Sequence, residues 1–246
     1  MAAVAAVGLV IGITVGCTGI GGVLMIPILT VMLGIDVKHA IAAALLSYLP
    51  SGLVALVLYG RRGSVLWREA GFLCIAALPA AYLGARAASF APAALLETLI
   101  GLLLFAGGIY TLRGSRRPTT QSVRLTAPLL LGLGASTGFV SALTGAGGAF
   151  VLLPMLLLLD VPVLPAIGLG MAIAIPIGSL ASLANLAAGL VDPILAAILA
   201  VTLAVGIAIG TPIAHALPQL KLRRLLSIVV VASALAMLIR VAARFL

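Results

Sequence analysis

Thr18-Gly19-Ile20-Gly21-Gly22, followed by Pro27, and Thr144-Gly145-Ala146-Gly147-Gly148, followed by Pro154, are the stretches on which the reading of this chain turns. Each is a run of helix-weakening glycines set inside strongly apolar sequence. In hydrocarbon an unsatisfied backbone N–H or C=O costs several kcal/mol, so irregular chain persists only where it lines a cavity or is covered by protein. The same breakage placed twice, at an offset of 126 residues, predicts a built site.

The surrounding composition gives the class. The chain has 246 residues, 64% hydrophobic and 8% charged, where a soluble domain carries about 25% charged residues. Apolar runs of about 20 residues recur along its length, as spanning helices require. The expectation is an all-α polytopic membrane protein. The net charge of +9 lies in short clusters between apolar runs, the mark of cytoplasmic loops rather than of a nucleic-acid surface, so no nucleic-acid partner is expected. No basic segment precedes the first apolar run, and residues 1–15 are not read as a cleaved signal peptide. Cys17 and Cys74 both fall in apolar sequence; neither a disulfide framework nor a metal spacing is present, and no cofactor or metal is expected. Cys17 reads as packing, with substrate contact beside Thr18 as the alternative.

Residues 2–33 form the first apolar block, interrupted at 17–22. An unbroken helix of that length would approach ~50 Å, against a hydrocarbon core of ~30 Å. The economical reading is a re-entrant hairpin, one half-helix descending to mid-membrane and a second climbing back; a single tilted, kinked helix is the alternative. Spans are expected at 40–59, 70–88 and 93–112. The first has Ser47, Tyr48, Pro50, Ser51 and Gly52 near its middle, where proline removes a donor and kinks the helix. Tyr59 and Trp67 flank the basic loop of Arg61, Arg62 and Arg68 like an interfacial belt. The second half repeats this order: a broken block at 127–159, a span at 165–188 with Pro176 and Gly178 near its middle, and further spans at 193–214 and 218–246. The division is an N-terminal repeat (1–115), a linker (116–125) and a C-terminal repeat (126–246) within one integral membrane domain.

The duplication holds residue by residue. At an offset of 126, Gly19, Gly21 and Gly22 meet Gly145, Gly147 and Gly148, while Pro50, Gly52, Gly63, Gly84 and Pro92 meet Pro176, Gly178, Gly189, Gly210 and Pro218. If each broken block is re-entrant, each half crosses three times, and an odd number inverts the second half. Arg61, Arg62, Arg68, Arg113, Arg116, Arg117, Arg124, Lys221, Arg223 and Arg224 then share one side, opposite Lys38, Arg86, Arg240 and Arg244. Positive-inside bias favours this inverted arrangement slightly over one in which the broken blocks cross.

Inverted repeats with discontinuous helices at the midplane are a transporter design. A half-helix opening at Gly19–Gly22 aims bare N–H groups and the positive end of its dipole at the membrane centre, and such an end takes an anion without a charged side chain. Facing ends at Gly19–Gly22 and Gly145–Gly148 would hold a small oxyanion, with Thr18 and Thr144 adding hydroxyls. The competing reading is that the glycines only permit close helix packing, which accounts for scattered glycines better than for a tight cluster. Pro50, Ser51, Pro176 and Ser179 are candidate walls or hinges of the site, and packing serves them nearly as well. Asp36, Glu69, Glu97, Asp160 and Asp192 all fall in loops or near span ends, not mid-span where proton relays sit. Any coupled proton is therefore expected to travel on the substrate. An intramembrane enzyme would need a nucleophile–base pair or metal ligands; both histidines, His39 and His215, are peripheral. A structural or assembly protein is the remaining alternative, and it needs no polar midplane.

The paired T-G-x-G-G turns, each followed by an apolar run with proline, together with the Pro-x-Gly kinks and Gly84/Gly210, resemble the TauE/SafE sulfite exporter family over essentially the whole chain. The resemblance implies a bacterial inner-membrane permease for sulfur-containing anions: sulfite, organosulfonates or thiosulfate. It carries over Thr18, Gly19, Gly21, Gly22, Thr144, Gly145, Gly147 and Gly148 as the central site. Thiosulfate-uptake relatives rely on cysteines near the pore; here only Cys17 is close, and its counterpart is Leu143. Sulfite export is thus the implied activity. The partners expected are the sulfur oxyanion and membrane lipid, with a homodimer as an allowed assembly.

Overall fold

The computed structural model describes residues 1–112 and 125–216, and beyond them positions 231, 234, 235, 238 and 239. Most of the linker and of the last expected span lie outside these residues. Among the described residues the chain is entirely helical, and five helices are long and apolar enough to cross a membrane. The elements are α1 (Ala2–Thr18), a 3-10 turn (Gly21–Leu24), α2 (Met25–Pro27), a π segment (Ile28–Met32), α3 (Val37–Arg61), α4 (Trp67–Phe90), α5 (Ala93–Leu112), α6 (Ala127–Thr144), α7 (Gly148–Leu158), α8 (Val163–Ala187) and α9 (Pro193–Ala216).

Local chemistry accounts for the boundaries. α1 and α6 end where Gly19 (φ 75°) and Gly145 (φ 68°) enter the left-handed region, which glycine adopts without a Cβ penalty. Asp36 caps α3 by accepting from the Lys38 amide at 2.9 Å. Asp192 does the same for α9, accepting from Ile194 and Leu195. Pro50 and Pro176 lie inside α3 and α8 without ending them.

The 126-residue offset reappears in the element bounds. α8 repeats the bounds of α3 and α9 those of α4, while α6 ends at Thr144 as α1 ends at Thr18. Even the left-handed residues match: Gly34 with Asp160, and Gly63 with Gly189.

Packing interleaves the halves. α1 lies along α9, with Gly8, Gly12 and Gly16 against Thr202, Leu203, Gly206, Ile207 and Gly210. α6 lies along α4 in the same manner, Gly134 on Leu73 and Gly138 on Ala77. A Cβ on Gly12 would stand 2.6 Å from the Leu203 carbonyl oxygen, and one on Gly138 2.7 Å from that of Ala77. These glycines therefore let backbones touch, as small residues do where no hydrophobic force drives helices together. Numbers rise together along both pairs, so each pair runs parallel. At the centre α3 and α8 cross the other way: Gly52 rests on Ala174 and Ile175, and Gly178 on Leu45 and Leu49. These two are the most buried spans.

Both broken blocks are interrupted at their glycines, and the first folds back there. Gly21 sits against Thr14 and the Val15 amide, six to seven residues upstream, a contact that a continuous helix forbids. The return arms differ from the two alike half-helices expected. The second is one helix, α7, whereas the first is a 3-10 turn, a short α segment and a π segment. Pro27 lacks a donor and clashes with the preceding turn, and the Thr30 hydroxyl donates to the Ile26 carbonyl at 2.9 Å.

Candidate functional site

The two glycine turns meet at Tyr48 of α3. Its hydroxyl lies 3.1 Å from the Gly22 carbonyl oxygen and 3.0 Å from that of Gly145, one from each broken block. Its ring fills the space between them. A Cβ on Gly22 would come within 3.2 Å of the hydroxyl, and one on Gly147 within 3.5 Å of the ring. The single phenolic proton thus has two carbonyl acceptors within reach. The position equivalent to Tyr48 is Ala174; the tie exists on one side only.

Several carbonyls near these helix ends accept hydrogen bonds. Gly19 donates to Val15 and Gly145 to Ser141, each at 2.8 Å. Tyr59 donates to the Gly16 carbonyl at 2.9 Å, and the Cys17 thiol to that of Gly210 at 3.2 Å. The Val15, Gly16, Gly22, Ser141 and Gly145 carbonyls beside the turns thus have partners. At the start of the 3-10 turn and of α7, in contrast, no side chain caps the amides.

The threonines act within their own turns. Thr18 donates to the Thr14 carbonyl at 2.8 Å and accepts from the Ile20 amide at 3.3 Å. Thr144 donates to Val140 at 2.7 Å and accepts from Ala146 at 3.4 Å. Each hydroxyl proton is thus engaged by its helix, and these residues shape the turn. Gly19, Gly21, Gly22, Gly145 and Gly148 are buried and Gly147 is half-buried, so the two clusters form one interior region. Ser51 is buried but donates to the Ser47 carbonyl at 2.7 Å, and half-buried Ser179 to that of Pro176 at 2.9 Å. Pro176 is buried, whereas Pro50 is exposed on the outer surface of the bundle, away from the turns. Cys17 is directed at α9, which fits the packing reading.

Tyr48 was legible as a polar residue in the middle of a span but had no assigned role; a buried tyrosine hydroxyl needs a partner, and that is the signal it offered. Glu97 is near the start of α5, as expected of a residue close to a span end, yet only 3% exposed. Among the described residues no cluster of His, Cys, Asp or Glu could hold a metal.

Comparison with known proteins agrees with this architecture. Residues 4–237 match the profile of the family described as sulfite exporter TauE/SafE. The chain is similar to a probable membrane transporter protein, MJ0441, of Methanocaldococcus jannaschii, 29% identical over 72% of this chain and 68% of that one. It is also similar to a probable membrane transporter protein of Xylella fastidiosa strain Temecula1 (28% identity; 65% of this chain, 64% of that one). Probable membrane transporter protein YdhB of Bacillus subtilis is 26% identical over 75% of this chain and 78% of its own length. No solved structure matches the chain.

Proposed function

The chain belongs to the sulfite exporter TauE/SafE family and is a multi-pass membrane transporter, and from that premise we propose that it exports a small sulfur oxyanion, sulfite foremost, across a bacterial inner membrane. The binding region in this reading is the pair of glycine turns around Tyr48. The observation that carries it is the asymmetry of the backbone there: carbonyls are paired by Tyr48, Tyr59 and the glycine amides, while the amides opening the return arms have no side-chain cap. Uncharged donors in a low-dielectric centre attract an anion strongly enough to select it, yet hold it loosely enough to release it.

The two halves act in this proposal as an inverted repeat. The antiparallel crossing of the equivalent helices α3 and α8, and the parallel pairing of each broken helix with a span of the other half, support that reading. Rocking of one trio (α1, α3, α9) against the other (α4, α6, α8) would expose the turns to each side in succession, with the Tyr48 hydroxyl switching its hydrogen bond between the Gly22 and Gly145 carbonyls.

Sulfite efflux from loaded proteoliposomes tests the function. Gly22→Ala is the sharpest probe, because the nearest atoms to its Cβ would be those of Tyr48, at 3.2 to 3.6 Å. It is expected to reduce flux at least tenfold while the protein still folds. Gly148→Leu would clash with Ile173 at 2.5 Å even as a Cβ and so confounds binding with folding. A thermal-shift panel of sulfite, sulfate, thiosulfate and sulfoacetate ranks substrates, since a true ligand stabilises as RT ln(1 + [L]/Kd). Equal shifts for all four at matched ionic strength would remove the oxyanion site.

A further inference from the structure

Buried and half-buried hydroxyls in this bundle have a habit. Thr14, Thr18, Ser47, Ser51, Thr144 and Thr202 each donate to a carbonyl three or four residues back in their own helix, which satisfies the proton without any partner across the interface. Thr137 and Ser141 on α6 and Ser182 on α8 depart from it. Their oxygens, and the Nδ2 of Asn185, are buried with no hydrogen-bond partner among the described residues. The four side chains are 0 to 2% exposed.

Their placement is not scattered. Thr137 and Ser141 are four apart and share a face of α6, and Ser182 and Asn185 are three apart and share a face of α8. Ser141 is the last-turn residue whose carbonyl receives the Gly145 amide, so it stands at the second glycine turn. Asn185 occupies the position of Tyr59 in the first half, and Tyr59 reaches Gly16, the counterpart of Ala142. The offset that relates the halves therefore brings Asn185 to the same end of α6. The equivalents of the four are Ile11, Val15, Leu56 and Tyr59. One half has an apolar wall with a phenol already paired; the other has four unpaired polar groups.

The geometry points to a second anion subsite on the C-terminal half only, formed by Thr137, Ser141, Ser182 and Asn185 beside the Thr144–Gly148 turn. Every unpartnered atom in it is a donor, and none of the four side chains carries a charge. These uncharged donors match the oxygens of a small oxyanion. The inference rests on the transport reading above and adds to it an access path that is one-sided although the turns are paired.

Two measurements test it separately from that reading. In a background with Cys17→Ala and Cys74→Ala, Ser141→Cys is expected to react with the anionic sulfonatoethyl methanethiosulfonate reagent and to be protected by excess sulfoacetate. Val15→Cys, the first-half equivalent, is expected to stay unmodified. Labelling of neither position, or of both equally, overturns the subsite whatever the protein transports. In the second measurement, Thr137→Val with Asn185→Leu is expected to leave the thermal midpoint unchanged or higher, because apolar groups of similar shape replace unpaired donors. Half-saturation for sulfite efflux should rise at least tenfold. Unchanged half-saturation in a folded variant also overturns the proposal. Labelling of Ser141→Cys in a protein that moves none of the four anions would instead defeat the export reading and leave the anion-accessible subsite standing.

Discussion

A single phenol organises the centre of this protein. Tyr48 is 7% exposed and touches both broken blocks, whose turns are otherwise far apart in the chain. Replacing it with phenylalanine keeps the ring between Gly22 and Gly147 but leaves two buried carbonyls without their donor. Loss of such a bond costs about 1–3 kcal/mol. Tyr48→Phe is therefore expected to lower the thermal midpoint in detergent and to reduce sulfite flux more than the stability loss explains. Wild-type flux in Tyr48→Phe would show that the tie is only structural. The residue also marks how far sequence reading reached: a tyrosine among serines and a proline in mid-span is visible, but its two acceptors lie 26 and 97 positions away. Pro50 errs in the other direction, conspicuous in the sequence and exposed on the bundle surface.

Among the elements, the pairs α1–α9 and α4–α6 depend on glycine stripes that bring backbones into contact. Gly12→Ala forces a Cβ to 2.6 Å from the Leu203 carbonyl oxygen and 2.9 Å from its Cα. Overpacking of this kind costs about 1–3 kcal/mol, and a rigid backbone neighbour cannot relieve it by a rotamer change. Gly71→Ala on exposed α4 surface has nothing within 4 Å of the new atom and should gain about 0.5–1 kcal/mol from helix propensity. Thermal unfolding of the two variants is expected to move in opposite directions. Equal shifts would mean that the stripe is not a close contact. Periodic glycines are legible in α1, but their partner is not, since nothing local states that α1 packs on a helix of the opposite half.

At the scale of the molecule, the proposed inverted repeat has α1, α3 and α9 running one way and α4, α6 and α8 the other. Arg61 and Ala187, the last residues of α3 and α8 and both exposed, are then expected on opposite sides of the membrane. Arg61→Cys and Ala187→Cys, each in the Cys17→Ala, Cys74→Ala background, should label with an impermeant maleimide from opposite faces of right-side-out and inverted vesicles. Labelling of both from one face would exclude the inverted repeat. The basic residues clustered near Arg61 make that end the cytoplasmic one in this prediction.

Composition and local pattern by themselves determined that the chain is a helical membrane protein, where its helices break and that the breakage occurs twice. Hydropathy, proline and left-handed glycine act through neighbours a few residues away, so they can be read along the chain. Tertiary structure alone decided what meets at the breaks: which helix carries each broken arm, that Tyr48 joins the two turns, that the threonine hydroxyls turn inward to their own helices, and that four donors in one half have no counterpart in the other. Apart from the threonine bonds, which are local, those contacts join segments from 26 to 193 residues apart. In lipid the hydrophobic effect does not select between apolar partners, and close packing and hydrogen bonds, which only the assembled bundle displays, make the choice.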